Sequence, residues 1–550
     1  MQRSRKLEEL RRLVRATRLA RANRMTLNEV LEQAAERPHR LTEPSRRRFV
    51  KDLGAIAGAG LLLNNLPAHA FRSRPPRIAI VGGGIAGLNA ALTLQDAGLA
   101  STIYEASSVV GGRIHSNATA WEENQTSEWC GEFIDSGHTC MQALVNRFGL
   151  TLVDELEAEP TQSTDTLFFF EQYYGVKQAF LDFQAIADRL EEDANNLFPT
   201  TFDPATHFPR SVHLDHMSAY DWIENNVPGG HRSSLGSYID SAYTNEFGLD
   251  TDRQSALNVV YEMGFQPESS EFSIYGESDQ RFHVLGGNDR IPFAIAEALP
   301  KESIETEWWM ESIAKQPDGT FGLTFFTPHG IRYVTADHVI LTIPFSVLRG
   351  LDYRKAGFDT LKDTAIQHLG YGTNSKLTVQ CTNRLWNEHG PWGKGDGSIY
   401  TDLFFQNTWD SSRGIPGKAG VLVAFMGGAA GLALDAAQSP FASAETSPEV
   451  AMYAKHFLRA ANHPWPGIES LWNGRATLST PWKAPNLLGS YSCWKVGQYT
   501  AFSGYEGVRQ GNCHFAGEHC SNSFQGFMEG GATEGARAAQ EIISDLEGNL

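Results

Sequence analysis

The sequence predicts an α/β fold joined to an α+β region: a discontinuous Rossmann-like dinucleotide-binding domain, a mixed-sheet substrate domain and a helical insertion. Three observations carry this. A buried-strand pattern runs into a glycine-rich loop and then a helix at residues 77–98. A second strand, acid, glycine turn and helix recur near the C-terminus. Between them, helical periodicity alternates with strand patterns that a single doubly wound sheet does not contain. The 550 residues, 41% apolar and 20% charged, suffice for two or three such units.

Residues 1–70 differ from the rest in charge. They hold 15 Lys/Arg against 7 Asp/Glu, a net of +8, so that with the chain at −18 overall the remainder stands at −26. So acidic a body excludes nucleic acid as a partner, because phosphate binding needs a basic footprint. It attracts cations, protonated amines among them. Six cysteines without a Cys-x-x-Cys pair or a His/Cys cluster give neither a disulfide scaffold nor a metal site, and they read as packing residues.

Within that leader, Ser45-Arg46-Arg47-Arg48-Phe49-Val50-Lys51 precedes an apolar run, Leu53 to Leu66, and then Pro67-Ala68-His69-Ala70, a small-x-small cleavage pattern. This resembles a bacterial twin-arginine export signal, which implies the twin-arginine machinery as a partner and a periplasmic or extracellular destination. The apolar run falls short of the roughly 20 residues that cross a bilayer as a helix, so no stable membrane span is expected.

The body of the chain opens with Arg77-Ile78-Ala79-Ile80-Val81, a β-branched run typical of a buried parallel strand. Gly82-Gly83-Gly84-Ile85-Ala86-Gly87 follows, then a helix over Leu88–Ala97. Gly82 suits the tight turn, Gly84 lets backbone amides approach a pyrophosphate, Ala86 stays small at the helix start, and Gly87 lets helix and strand pack closely. A second strand, Ser101–Tyr104, ends at Glu105, 23 residues beyond Gly82, where a carboxylate can accept both ribose hydroxyls. Ser107-Ser108-Val109-Val110-Gly111-Gly112-Arg113 then makes another Gly-Gly turn that presents the Arg113 guanidinium. With Gly112 and Arg113 in place the pattern resembles the flavin-binding signature of the amine oxidase and desaturase superfamily, which implies FAD.

Near the other end, His514-Phe515-Ala516-Gly517-Glu518-His519 reads as a buried strand ending at a carboxylate. Ser523-Phe524-Gln525-Gly526-Phe527-Met528-Glu529-Gly530-Gly531-Ala532 leads into a helix over Thr533–Leu546. With these segments the chain resembles the flavin-containing amine oxidases, which include monoamine, polyamine and L-amino-acid oxidases, over roughly residues 75 to 545. The resemblance implies that Gly517 and Glu518 hold the ribityl or pyrophosphate part of FAD, and that Phe527 and Met528 lie near the flavin ring. The strand from His338 to Pro344 and the turn Leu285 to Arg290 match further family segments. The FAD domain is therefore expected in three pieces, 75–136, 275–345 and 500–550, with a substrate domain from 137–274, partly helical, and 346–499.

Residues for chemistry follow from the same resemblance. Lys376, on an alternating strand at 372–379, matches the lysine that the family bonds through water to flavin N5. Trp482, ahead of Gly489-Ser490-Tyr491-Ser492, is expected to pack near the ring. Cys493 falls a few residues past the place where covalent members carry a cysteine, so the FAD is expected to be noncovalent. The segment Glu128 to Asp135 is expected to line the substrate cavity with Glu132, Phe133 and Ile134, completed by Phe527 and Ser490. Tyr491 and Trp494 are further aromatic candidates for a wall beside the flavin.

The implied reaction is hydride transfer from the α-carbon of an amine to flavin N5, giving imine and then aldehyde, with oxygen reduced to hydrogen peroxide. No arginine stands near Ile134 to clamp an α-carboxylate, which favours a di-, poly- or monoamine, its distal ammonium meeting Glu132 or Asp135. Arg210 or Arg281 could supply that clamp, in which case an L-amino-acid oxidase giving a 2-oxo acid is the alternative. A non-catalytic flavin-binding protein is a third reading. His138 and His519 are expected to hydrogen-bond rather than to act as bases, and a homodimer is among the assemblies this reading allows.

Overall fold

The computed structural model describes residues 75–267, 272–437 and 439–548. The twin-arginine signal, the basic leader and the cleavage pattern expected within residues 1–70 lie outside the described residues.

A five-stranded parallel sheet forms the nucleotide half, in the order Cys513–Phe515, His338–Leu341, Ile78–Val81, Thr102–Tyr104 and Ile304–Glu305. Its strands come from three separate stretches of chain. Ile78 to Val81 are all buried, as a central parallel strand covered on both faces requires. The helix Ile85–Asp96 returns over one face, starting three residues earlier than the sequence pattern suggests.

The C-terminal helix also starts earlier than expected, at Met528 rather than Thr533, and runs to Glu547. Its glycines belong to the helix instead of a preceding turn, because they face another helix at close range. A Cβ on Gly535 would meet the Ala86 carbonyl oxygen at 2.1 Å, and one on Gly531 would meet Ile85 at 2.9 Å. Small residues here let the first and last helices of the nucleotide half cross in contact.

The second half is built on an eight-stranded mixed sheet in which Ser375–Cys381 runs antiparallel to both its neighbours, Trp472–Ser479 and Gly420–Met426. The alternation read in the Lys376 strand is present, but all seven of its residues are buried. Leu377, Val379 and Cys381 pack with Val450, Ala454 and Phe457 of the helix Pro448–Ala461. The polar side is covered by the segment 122–132: Gln380 bonds Glu122 and Gln125, and Lys376 bonds Glu132.

The helical insertion comprises Val176–Leu197, Pro209–Asp215, Ala219–Asn226, Ser234–Phe247 and Ala256–Met263. The first of these turns Ala179, Phe183, Ile186 and Leu190 onto its buried face. Among the described residues, no helix is long and apolar enough to cross a membrane. All six cysteines are free thiols.

Candidate active site

A cavity lies at the carboxyl ends of the parallel strands and reaches the inner side of the mixed sheet. Carboxyl strand ends are where open α/β sheets bind ligands. At the nucleotide end it is lined by Gly82, Gly84, Ala86, Glu105, Gly112 and Arg113. Gly82 has φ +110°, and a Cβ there would meet Thr342 Oγ1 at 2.5 Å. Gly87 lies behind the loop, where a Cβ would meet the Gly82 carbonyl oxygen at 2.0 Å. It sets the spacing of loop and helix without touching the cavity.

Glu105 Oε2 accepts the Gly83 amide at 2.6 Å, while Oε1 accepts the Ser107 amide and hydroxyl. The carboxylate is thus aimed before any ribose is present. Across the cavity, Glu518 organises four partners. It accepts from Arg113 Nη1 at 2.9 Å, from the Ser492 amide and hydroxyl, and from the Gly526 amide. Burial works against this carboxylate, but Arg113, His519, Ser492 and Gly526 together hold it below the usual carboxylate range. Arg113 also donates to the Ser490 carbonyl, which ties the signature turn to the C-terminal segment.

These residues fit the FAD that the glycine motifs imply. Gly84 has no atom nearer than 3.9 Å to a built Cβ, leaving its backbone open to the cavity. Gln525 lines the same space, and its Nε2 is buried with no partner among the described residues, a donor suited to a ligand rich in acceptor oxygens. Gly517, Glu518, Phe527 and Met528 line it as well. Cys130 is the cysteine among the lining residues, and burial pushes its thiol up to about 11.

The substrate end centres on Lys376. Its Nζ donates to Glu132 Oε2 at 2.7 Å and to the Cys130 carbonyl. Trp409 Nε1 holds the other Glu132 oxygen at 2.8 Å, and Lys376 lies 5.3 Å from the Trp409 ring. Phe133 packs 5.3 Å from the same ring. Asn288, in the turn after Val284, donates to the Glu132 carbonyl and through its amide to Glu128 Oε1. Burial pushes Glu128 up to about 8, and Lys376 pairs with Glu132, not with Glu128.

Several expected site residues stand elsewhere. Ile134 is fully buried in the core with Val284 and Met141, because its backbone pairs with Phe282 and turns the side chain away from the cavity. Trp482 sits in the short turn Pro481–Lys483 and donates to Ser375 Oγ at 3.0 Å, and Pro481 lines the cavity in its place. Glu132 lines the cavity, but both its oxygens are engaged, so it orients Lys376 instead of meeting a distal ammonium. Ser490 also lines it, its hydroxyl donated to Asn374 Oδ1 at 2.6 Å.

Arg210 pairs with Asp193 and Arg281 with Asp154, and neither lines the cavity. Tyr491 does, whereas Trp494 is in the core beside Tyr499. His138 takes the Asp135 amide through Nδ1, but both ring nitrogens of His519 are buried without a partner among the described residues. Sequence reasoning missed Trp409, Glu246 and Glu262, because they reach the site from elements with no motif of their own, and it gave Asn288 no role although the turn that holds it was matched.

One other cluster offers metal-ligand atoms: His338, His514 and Asp545 lie within 4.8 Å of one another. Arg509 pairs with Asp545, and Glu541, which accepts from His514, also pairs with Arg537. The His514–Glu541 pair joins the last helix to the sheet.

Similarity to known proteins agrees with this geometry. YobN of Bacillus subtilis (strain 168) is 24% identical over 505 residues, spanning 88% of this chain and 97% of its own length. The L-amino-acid oxidase of Demansia vestigiata is 23% identical over 86% of this chain and 87% of its own length. The cyclohexylamine oxidase of Brevibacterium oxydans IH-35A shares the fold, with a TM-score of 0.70 at 19% identity over 86% of this chain and 100% of that one. The model of the flavin containing amine oxidoreductases matches residues 85–543, and the chain belongs to that family.

Proposed function

We propose that this chain is an FAD-dependent amine oxidase acting on a di-, poly- or monoamine that lacks an α-carboxylate. The charge of the cavity carries the reading. Its lining includes five carboxylates, Glu105, Glu132, Glu246, Glu262 and Glu518, while the described cations are Arg113 and Lys376. Each cation is paired with a carboxylate. No guanidinium is left over for the bidentate clamp that an α-carboxylate calls for.

FAD, when bound, accepts the hydride and passes its electrons to oxygen as hydrogen peroxide. On the substrate, the C–H bond beside nitrogen breaks with its electron pair, nitrogen loses a proton, and a C=N bond forms that water opens to aldehyde and ammonia. The chain contributes position and dryness. Phe133, Trp409 and Phe425 wall the substrate end with apolar rings, and Glu132 with Trp409 fixes the Lys376 ammonium.

L-amino-acid oxidation is the second reading, favoured by the Demansia vestigiata relative named for that activity. Oxygen consumption and peroxide release by the purified holoenzyme, measured with monoamines, diamines, polyamines and the twenty L-amino acids, separates the two. Turnover of amines at least tenfold above any amino acid is expected. The reverse order would replace this proposal with the second reading.

A further inference from the structure

Away from the cavity, the last helix meets the parallel sheet at a pair of histidines that no flavin motif uses. His338 opens the strand His338–Leu341, and His514 lies in the neighbouring strand Cys513–Phe515. Both are more than nine-tenths buried. The helix Met528–Glu547 brings Glu541 and Asp545, one turn apart, to the same place. None of these four residues lines the cavity.

The hydrogen bonds fix what the imidazoles offer. A carboxylate only accepts, so the 2.6 Å contact between His514 Nδ1 and Glu541 Oε2 puts the proton of the neutral ring on Nδ1. Nε2 is left with a lone pair, and it is buried without a partner among the described residues. His338 Nδ1 is buried in the same condition. Burial and the neighbouring His514 lower the His338 pKa to about 4, so that ring is neutral as well. The ring centroids are 5.8 Å apart, and these two nitrogens do not bond each other. Buried ring nitrogens left unused cost stability unless a ligand takes them up.

The ligand these atoms suit is a Lewis acid. Donor atoms of His338, His514 and Asp545 all lie within 4.8 Å of one another. Zinc bound at about 2.0 to 2.1 Å holds its ligand atoms roughly 3.4 Å apart, so side-chain rotations that close roughly 1.4 Å or less complete the set. Glu541 behind His514 is the carboxylate–histidine arrangement that orients a metal-bound imidazole. Arg509 pairs with Asp545 and competes for it, but the Arg509 side chain is 41% exposed and can turn to water. That side of Asp545 is the path of entry.

We infer that His338, His514 and Asp545 form a binding site for a divalent transition-metal cation of the zinc type, with Glu541 orienting His514. Two imidazoles and one carboxylate favour zinc over magnesium or calcium, which take oxygen ligands. The ion ties the last helix to the sheet apart from the reacting groups, so the inference is independent of the amine reading.

The test uses holoenzyme purified without a polyhistidine tag, freed of metal with a chelator and dialysed against increasing zinc chloride. Bound zinc is measured by atomic emission. One zinc per chain is expected at saturation, with Tm rising as zinc is added, because the ion binds the native state. Magnesium chloride should leave Tm unchanged. His338→Gln and Asp545→Asn are each expected to weaken zinc binding by about tenfold or more and to remove most of the rise in Tm. Wild-type flavin content shows that the variants fold, and Asp545→Asn, on the part-exposed side, serves if His338→Gln does not. Arg509→Ala frees Asp545 and should tighten zinc binding several-fold, which a general loss of packing does not do. The inference is overturned if wild type retains no zinc, if His338→Gln and Asp545→Asn bind it as wild type does, or if Arg509→Ala weakens it.

Discussion

The two ends of the cavity are built on opposite plans. At the nucleotide end the polar groups are paired with one another: Glu105 with Gly83 and Ser107, and Glu518 with Arg113, Ser492 and Gly526. The shape exists before the ligand does. At the substrate end, Lys376, Glu132, Trp409, Glu246 and Glu262 come from distant parts of the chain, the last two from the helical insertion. One end is fixed by hydrogen bonds that converge on two carboxylates; the other is lined by side chains of the mixed sheet and the helical insertion.

The largest effect that would test this contrast is at Gly87. A Cβ there stands 2.0 Å from the Gly82 carbonyl oxygen, a contact relieved only by moving backbone. Gly87→Ala is expected to destabilise the protein by about 3 kcal/mol and to lose most bound flavin. The flavin-to-protein absorbance ratio and Tm report it. Full flavin content in this variant would break the account of a preset nucleotide end.

The same contrast explains what could be read in the sequence. Gly82 to Gly87, Glu105, Arg113 and Glu518 stand in short motifs whose spacing is dictated by one turn and one helix start, so local pattern was enough. Lys376 was legible because it sits on an alternating strand that matches a family position. Ile134 and Trp482 were misplaced by a residue or two: in a strand or tight turn, one step reverses the direction of a side chain. Trp409 and Glu246 carried no signal, since a tryptophan in a strand and a glutamate at a helix end look the same in the core, on the surface or at a site. The C-terminal glycines were misread as a turn, although close helix packing asks for the same residue.

Arg113→Met comes next in size. It leaves Glu518 buried beside His519 without its guanidinium, at a cost of about 3 kcal/mol. The pH dependence has a definite sign. An unfolded glutamate titrates near about 4.3. Folded Glu518 lies lower, so its contribution is complete above that value and is lost as pH falls through the folded pKa. Without Arg113, desolvation dominates and the folded pKa rises, so the acid-side loss of Tm should begin at higher pH. Matching Tm–pH curves for the two proteins would show that Glu518 is held by its other partners alone.

The smallest effect belongs to Trp409→Phe, and it tells most about whether the two ends are separate. The ring remains, but Nε1 no longer holds Glu132 Oε1, which leaves Lys376 as the other side-chain partner of that carboxylate. Loss of a hydrogen bond to a charged group costs about 1.5 kcal/mol. Glu132 and Lys376 gain freedom at the substrate end, so turnover should fall about tenfold, the equivalent of that energy. Flavin content should stay at the wild-type level, because Trp409 bonds Glu132 and packs with Phe133, Phe425 and Lys376, all at the substrate end. Flavin absorbance and steady-state kinetics on one preparation measure both. Loss of flavin together with turnover would mean that the Glu132 network supports the cofactor as well, and the division between a preset nucleotide end and a separate substrate end would fail.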